Sequence, residues 1–270
     1  MICLKNHEFS PEATFECGQC FRWSADGEGY VGVAKGRVCR IRSNRLECPE
    51  EDNAFWRQYF CLDMDYTAMR AFLLEQDPVL KPCLQYGQGL RILRQDLWET
   101  IVSFILSANN NIPRIKKMIE GLCCNFGEPI SFEDKIFYSF PSVQRVAGLT
   151  CGDLASLKLG YRDAYVLDAA AFMSSQADGI GWQRLTTEEA RQTLMQIKGV
   201  GRKVADCILL FALGRYDVFP QDVWIRRIMG QVYQTPECAA QDVARQKYGA
   251  FRGFAQQYLF YYYRNHAGKI

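Results

Sequence analysis

The chain has 270 residues, 49% hydrophobic and 23% charged, enough apolar side chain for a packed core in one large or two ordinary domains, which excludes intrinsic disorder. No apolar run reaches the roughly 18 residues that a membrane span needs, and Met1-Ile2-Cys3-Leu4-Lys5-Asn6-His7-Glu8 lacks the basic-then-apolar layout of a secretory signal, so the sequence reads as a soluble cytoplasmic protein with no membrane partner. Lys and Arg number 32 against 30 Asp and Glu, a net charge of +2 that is silent on nucleic acid.

The first 50 residues punctuate like β structure. Phe15 to Trp23 reads as an extended segment, followed by a turn at Ala25-Asp26-Gly27-Glu28-Gly29, a second segment from Tyr30 to Val33 and a turn near Lys35-Gly36. Cys39 and Ile41 alternate with Arg40 and Arg42 before Ser43-Asn44, the period of a half-buried strand, and together these predict an antiparallel sheet. After about residue 53 the periodicity is helical. Trp98, Ile101, Val102 and Ile105, with Phe104 and Leu106, make a stretch apolar nearly all round, as expected of a helix at the centre of an all-α core. Helices are also predicted over Thr187 to Ile197, Lys203 to Leu213, Val223 to Met229 and Phe251 to Tyr263. No internal repeat, low-complexity tract or long linker interrupts the pattern. The expected fold class is α+β: an antiparallel β-rich domain at residues 1–85, then a larger all-α domain at 86–270.

Twelve cysteines are dispersed through the chain, which favours reduced, mostly buried thiols over a disulfide framework. The pair Cys17-x-x-Cys20 has no second pair at ligand spacing, so neither a zinc nor an iron–sulfur site is expected. Charge is unevenly distributed. Six basic residues (198, 202, 203, 215, 226 and 227) stand against Asp206, Asp217 and Asp222 between Lys198 and Arg227, and Asn109 to Lys117 carries three basic residues and no acid. Leu46 to Asp65 has six acids and one Arg. A local basic face is allowed by this polarity.

The most informative segment runs from Leu194 to Leu209. Two helical patterns are joined by Lys198-Gly199-Val200-Gly201, where the glycines permit positive φ and close approach of another backbone. Amides there, with the N-terminus of the next helix, form a cradle for a phosphate oxygen. Two glycines between helices are by themselves an ordinary cap and turn; the full string, with Leu194, Ile197, Val200, Ala205 and Ile208 at packing positions, is a helix-hairpin-helix DNA-binding motif. Lys203 opens the second helix and Cys207 lies one turn on, so both project from one face. Further along, Asp222 precedes the helical run starting at Val223 and is its natural N-cap.

Read alone, Lys203 is a solvated cation or a phosphate contact and Asp222 a cap. Together, beside a DNA-docking hairpin, they suggest more: a partly desolvated amine can act as a nucleophile, and a carboxylate across the cleft can stabilise the positive charge on a sugar losing its base. That chemistry is cleavage of a glycosidic bond.

On these residues the sequence resembles the helix-hairpin-helix DNA glycosylases, specifically the 8-oxoguanine DNA glycosylases, in a bacterial-like form. The similarity covers nearly the whole chain. It includes Cys17-Gly18-Gln19-Cys20-Phe21-Arg22-Trp23, Leu93-Arg94-Gln95-Asp96, Ser103 to Ile112, Leu159-Gly160-Tyr161-Arg162, Pro220-x-Asp222 and Gly253 to Phe260. The resemblance implies a TBP-like N-terminal domain. It implies that Lys203 attacks C1′ and holds the sugar as a Schiff base, that Asp222 stays ionised in support of the transition state, and that the Gly18 carbonyl accepts the N7 hydrogen that 8-oxoguanine has and guanine lacks. Cys207 and Phe260 match residues that sandwich the flipped base, and Gln256 the one that bonds its Watson–Crick edge; without the family, Phe260 would join an aromatic core with Phe251, Phe254 and Tyr258, and Cys207 would be a small buried hydrophobe. Asn109, Arg114 and Arg162 match contacts to the base left opposite the lesion, and Tyr161 a wedge beside it; otherwise the Asn109-Asn110-Asn111 run would be a helix C-terminal cap and loop, and Arg162 a solvated charge. Gly199, Val200 and Gly201 match the backbone-binding hairpin. Two positions depart from the pattern: Trp224 stands two residues after the Asp where animal and yeast members carry His, and Pro113 lies inside the Asn-Asn-Asn-Ile-x-Arg segment.

The resemblance implies a monomer acting on double-stranded DNA that contains 8-oxoguanine, with no cofactor or metal. A glycosylase for another damaged base and a non-catalytic module that only grips DNA backbone are the competing readings. Lys203 argues against a water-only glycosylase, and a non-catalytic module has no need of Lys203 and Asp222 together.

Overall fold

A computed structural model describes residues 2–4, 8–176 and 179–266 of the chain. In chain order it comprises β1 (Ile2–Cys3), α1 (Pro11–Phe15), β2 (Trp23–Asp26), β3 (Gly29–Ala34), β4 (Arg37–Arg42), β5 (Arg45–Glu47), α2 (Asn53–Tyr59), α3 (Tyr66–Gln76), α4 (Leu80–Tyr86), α5 (Leu97–Ser107) and α6 (Ile112–Phe126). Then follow β6 (Pro129–Phe132), β7 (Lys135–Tyr138), α7 (Val143–Ala147), α8 (Cys151–Leu154), α9 (Arg162–Ser175), α10 (Thr187–Leu194), α11 (Arg202–Phe211), α12 (Val223–Gln231), α13 (Ala240–Tyr248) and α14 (Arg252–Asn265).

The predicted antiparallel sheet is present, with strand order β1-β5-β4-β3-β2. Its side chains sort by the two-residue period of a strand. Trp23, Ala34, Cys39, Ile41 and Leu46 face one side and pack with Phe15, Trp56, Tyr59 and Phe60 in an aromatic core, where Phe15 stacks on Trp23 at 4.1 Å. Gly32 lies opposite Trp23, and a Cβ there would stand 2.3 Å from the indole, so the large ring is accommodated only because its partner has no side chain.

The other face carries Val31, Val33 and Val38, and a second sheet, the hairpin β6–β7, covers it with Ile130, Phe132 and Phe137. Arg40 ties the two sheets by pairing with Asp26 (2.7 Å) and with Glu133. This hairpin was not expected from the sequence. Its strands are four residues long, too short for a periodic signal.

The segment Phe15 to Trp23 corrects the extended reading. Residues up to Phe15 form the short helix α1, capped by the Ser10 hydroxyl, and 16–22 run without a strand partner. The alternation of apolar residues there reflects burial on all sides rather than a pleat: Cys17, Gln19, Cys20 and Phe21 are all buried.

From Tyr66 onward the buried side chains join a second, helical core that includes Leu73, Leu80 and Leu84, and α4 packs on α14. The central helix is α5, with every residue from Trp98 to Leu106 buried. Leu93 returns to the sheet core, while Arg91 binds the carbonyls of Glu8 (2.7 Å), Cys61 (2.7 Å) and Met64 (3.0 Å). The two cores are thereby stitched together along residues 90–96, and a cleft is left where 16–22, α5, α11 and α14 converge.

Candidate active site

The hairpin predicted to grip DNA has the required backbone. Gly199 adopts φ +83, and the Tyr165 ring occupies the space a Cβ would need, at 2.5 Å. Val200 is buried and its N–H donates to Ile197 O at 3.0 Å. Asp168 of α9 accepts from the Lys198 N–H at 3.0 Å. Gly201 is the N-cap of α11 and both it and Gly199 are exposed, so the free first-turn amides, at the positive end of the helix dipole, face solvent as an anion cradle. Of the three acids in this basic stretch, Asp206 is consumed by a buried pair with Arg191 (2.6 Å) and Asp217 by the Thr187 hydroxyl (2.9 Å).

Lys203 is the second residue of α11, and its Nζ sits 5.4 Å from the centre of the Phe104 ring of α5, a cation–π contact. Cys207, one turn on, is buried, and burial pushes its thiol up to about 11 against the opposing pull of the Lys203 charge, so it is a neutral thiol. Asp222 caps α12 by accepting from the Ile225 N–H at 2.8 Å. Burial raises its carboxyl above the ordinary range, while the Ile225 amide and the Lys203 charge oppose that rise.

These three residues line one small pocket with Gly18, Gln256 and Phe260. Gly18 has φ +78, and a Cβ there would lie 3.2 Å from Phe260 and 3.3 Å from Arg264; its conformation and its surroundings both call for glycine. Gln256 is buried with its Oε1 lacking any partner. An acceptor in that condition is costly unless something that enters the pocket supplies a donor.

The remaining predicted residues lie outside this pocket. Asn109 is exposed, in the left-handed region at φ +51. Arg114 is exposed in the first turn of α6, where Pro113 is well tolerated. Tyr161 is 53% exposed and stacks against the Arg162 guanidinium at 4.4 Å. Arg162, expected at the surface if read without the family, is 4% exposed. Its guanidinium donates to the carbonyls of Ala108, Asn109 (3.0 Å) and Leu159 (3.2 Å), so it holds the 108–109 turn in shape.

Five pocket residues were given no role by the sequence reading, although all but Phe211 lie in its motifs: Cys17, Phe104, Phe211, Pro220 and Gln257. Gln257 was the most legible of them, a second amide beside Gln256 in an otherwise apolar helix face. Among the described residues no group of three or more His, Cys, Asp or Glu could hold a metal ion, and no helix is long and apolar enough to cross a membrane.

Residues 1–101 match the model of the 8-oxoguanine DNA glycosylase N-terminal domain, and residues 102–249 that of the HhH-GPD superfamily base excision DNA repair proteins. The chain belongs to the HhH-GPD superfamily. A probable N-glycosylase/DNA lyase of Methanothermobacter thermautotrophicus is 32% identical over 231 residues, which is 77% of this chain and 72% of that one. Among solved structures, MBOgg1 in complex with a low-affinity DNA ligand is similar at TM-score 0.91 and 43% identity, over 97% of this chain and 94% of that one. The Clostridium acetobutylicum 8-oxoguanine glycosylase/lyase, bound to dsDNA containing cytosine opposite 8-oxoG, has TM-score 0.90 and 35% identity, over 97% of this chain and 93% of that one. For this HhH-GPD protein the partner is DNA, and the exposed hairpin amides and the adjoining pocket are the features suited to it.

Proposed function

We propose that this protein is a bifunctional DNA glycosylase and lyase that excises 8-oxoguanine from duplex DNA and then nicks the strand. The observation that carries the reading is the convergence of an amine, a carboxylate and an unpartnered buried amide oxygen (Lys203, Asp222 and Gln256) on a single pocket beside a phosphate cradle.

The target nucleotide leaves the stack at a cost of a few kcal/mol, its backbone held at the hairpin 199–201, where the Gly199 and Gly201 backbone faces solvent. The base lies between Cys207 and Phe260. Its Watson–Crick edge meets Gln256, and its N7–H meets the Gly18 carbonyl; guanine would oppose that carbonyl with a second acceptor, which is what discriminates against it. The lone pair of the Lys203 amine attacks C1′ as the C1′–N9 bond breaks, and the base leaves carrying a proton released by that nitrogen. Asp222, ionised, offsets the positive charge on the sugar. Loss of an amine proton and opening of the ring give the Schiff base. Removal of a C2′ proton then breaks the C3′–O bond, and hydrolysis of the imine frees Lys203. Asn109, Arg114 and Arg162 attend the base opposite and Tyr161 fills the gap. All the pocket residues named here come from one chain, which is compatible with action as a monomer.

The test is a duplex with one 8-oxoguanine opposite cytosine, incubated with protein and borohydride, beside Lys203→Gln and an undamaged duplex. A covalent adduct that needs both Lys203 and the lesion is expected. Base release without an adduct would indicate a monofunctional glycosylase, and binding without either reaction a DNA-binding module, each of which rejects the proposal.

A further inference from the structure

A second basic feature lies apart from the hairpin cradle. It is a groove between α6 and the 3-10 turn Ala155–Leu157, lined by Arg114, Lys117, Met118, Gly121 and residues 156–158. Positions 114, 117, 118 and 121 recur at the helical spacing that puts them on one face. Met118 is buried and forms the floor. At Gly121 the helix approaches the turn so closely that a Cβ would lie 3.0 Å from Leu157, which closes one end of the groove. Asn110, next to Asn109, donates to Met118 Sδ at 3.4 Å, which ties the groove floor to the 109–110 turn.

The groove is basic without compensation. None of its lining residues is acidic, and among the described residues Arg114, Lys117 and Lys158 have no ion-pair partner. The neighbouring Lys116 contrasts with them, since it points to the sheet side and binds Trp23 O at 2.9 Å and Glu16 at 3.6 Å. Lys158 is also held in the left-handed region, at φ 54 and ψ 41. That conformation costs a residue with a β-carbon free energy and would suit glycine better. A long cation is therefore kept at a strained corner, beside two others on a rigid helix.

We propose that this groove binds the phosphodiester backbone of duplex DNA at a second place, beyond the nucleotides held by the hairpin, with Lys117 and Lys158 as the added phosphate contacts. The proposal rests on the DNA-repair reading above and deepens it by extending the footprint. Two anchored stretches of backbone would fix the duplex axis relative to the pocket, and each neutralised phosphate would add to the salt dependence of binding.

The experiment compares wild type, Lys117→Gln/Lys158→Gln, Lys158→Gly and a control, Arg57→Gln/Lys81→Gln, which removes two exposed cations outside the groove. Affinity for a lesion duplex is measured from about 50 to 200 mM salt. Loss of two phosphate contacts lowers the salt slope by about 2, so wild-type affinity should fall about tenfold more than that of the double variant across this range. The control should keep the wild-type slope. Lys158→Gly should lower the slope by about 1 while keeping or raising Tm, which separates binding from folding. A double variant with the wild-type slope, or a control that loses as much as the groove variant, overturns the proposal. Absence of a borohydride adduct in wild type would instead reject the bifunctional glycosylase and lyase reading while leaving the slopes to decide the groove.

Discussion

Gln257 donates from Nε2 to the carbonyl oxygen of Cys17 at 2.8 Å, joining residues 240 positions apart. The bond fixes the peptide immediately before Gly18 to α14, the helix that also carries Gln256 and Phe260. The proposed acceptor for the lesion and the residues proposed to hold its ring are therefore tied into one unit. Gln257→Leu leaves a buried carbonyl without a donor, a cost of about 1–3 kcal/mol, and frees Gly18 to shift. Single-turnover excision of 8-oxoguanine against guanine should show the preference reduced by about tenfold. An unchanged ratio would remove the Cys17–Gln257 bond from the basis of selectivity.

Asp222 caps α12 and is proposed to support the transition state, and one substitution can separate the two. Asparagine caps helices as well as aspartate does, so Asp222→Asn should retain the Ile225 bond and leave Tm nearly unchanged. It removes the negative charge facing Lys203, and a fall of about 10²–10³ in the rate of base release is expected. The carboxyl of Asp222 is raised by burial, so it protonates at a higher pH than a free aspartate and the rate should fall on that acid limb. In Asp222→Asn the limb should vanish; a limb that persists would belong to another group.

The helices, and the positions of Lys203 and Asp222 at the starts of two of them, were legible because their signals are local. Asp222 before Val223 is a cap that one can read from four residues, and Lys198 to Lys203 encode their turn in two glycines. The segment 16–22 was not legible, since its backbone is satisfied from afar. Gln257 bonds Cys17 O, Gln95 bonds Gln19 O at 2.8 Å, and Arg264 bonds Glu16 O. No strand partner within the segment could have announced this. Arg162 was misjudged without the family for the same reason, because its acceptors at 108 and 109 lie more than 50 residues away.

Tyr161 and Arg162 are neighbours in opposite settings, one exposed and one buried, and their variants should diverge. Tyr161→Ala trims an exposed ring, so stability should stay within about 0.5 kcal/mol, while base release slows at least tenfold because the gap left by the flipped nucleotide is unfilled. Arg162→Leu strands the carbonyls of Ala108, Asn109 and Leu159 in a buried setting. A loss of about 3 kcal/mol is expected, or roughly 6 to 12 °C in Tm. Calorimetry beside single-turnover kinetics distinguishes the two; a large Tm loss in Tyr161→Ala would make it a packing residue rather than a wedge.

Glu99 gives the fold its own pH dependence. It lies in the first turn of α5, 8% exposed, and burial raises its carboxyl from the ordinary 4.5 to about 7, with the Arg22 charge opposing. The folded state thus prefers the neutral acid. Below about pH 4.5 both folded and unfolded chains are protonated here and nothing is lost. As pH rises toward 7 the unfolded chain ionises first, and stability declines by roughly 3 kcal/mol before levelling off. Glu99→Gln keeps the shape and removes the titration, so the variant should be more stable than wild type at pH 8 and no more stable at pH 4.5. Denaturant unfolding at the two pH values checks this, and a variant destabilised equally at both would mean that the carboxylate has a partner that glutamine cannot replace.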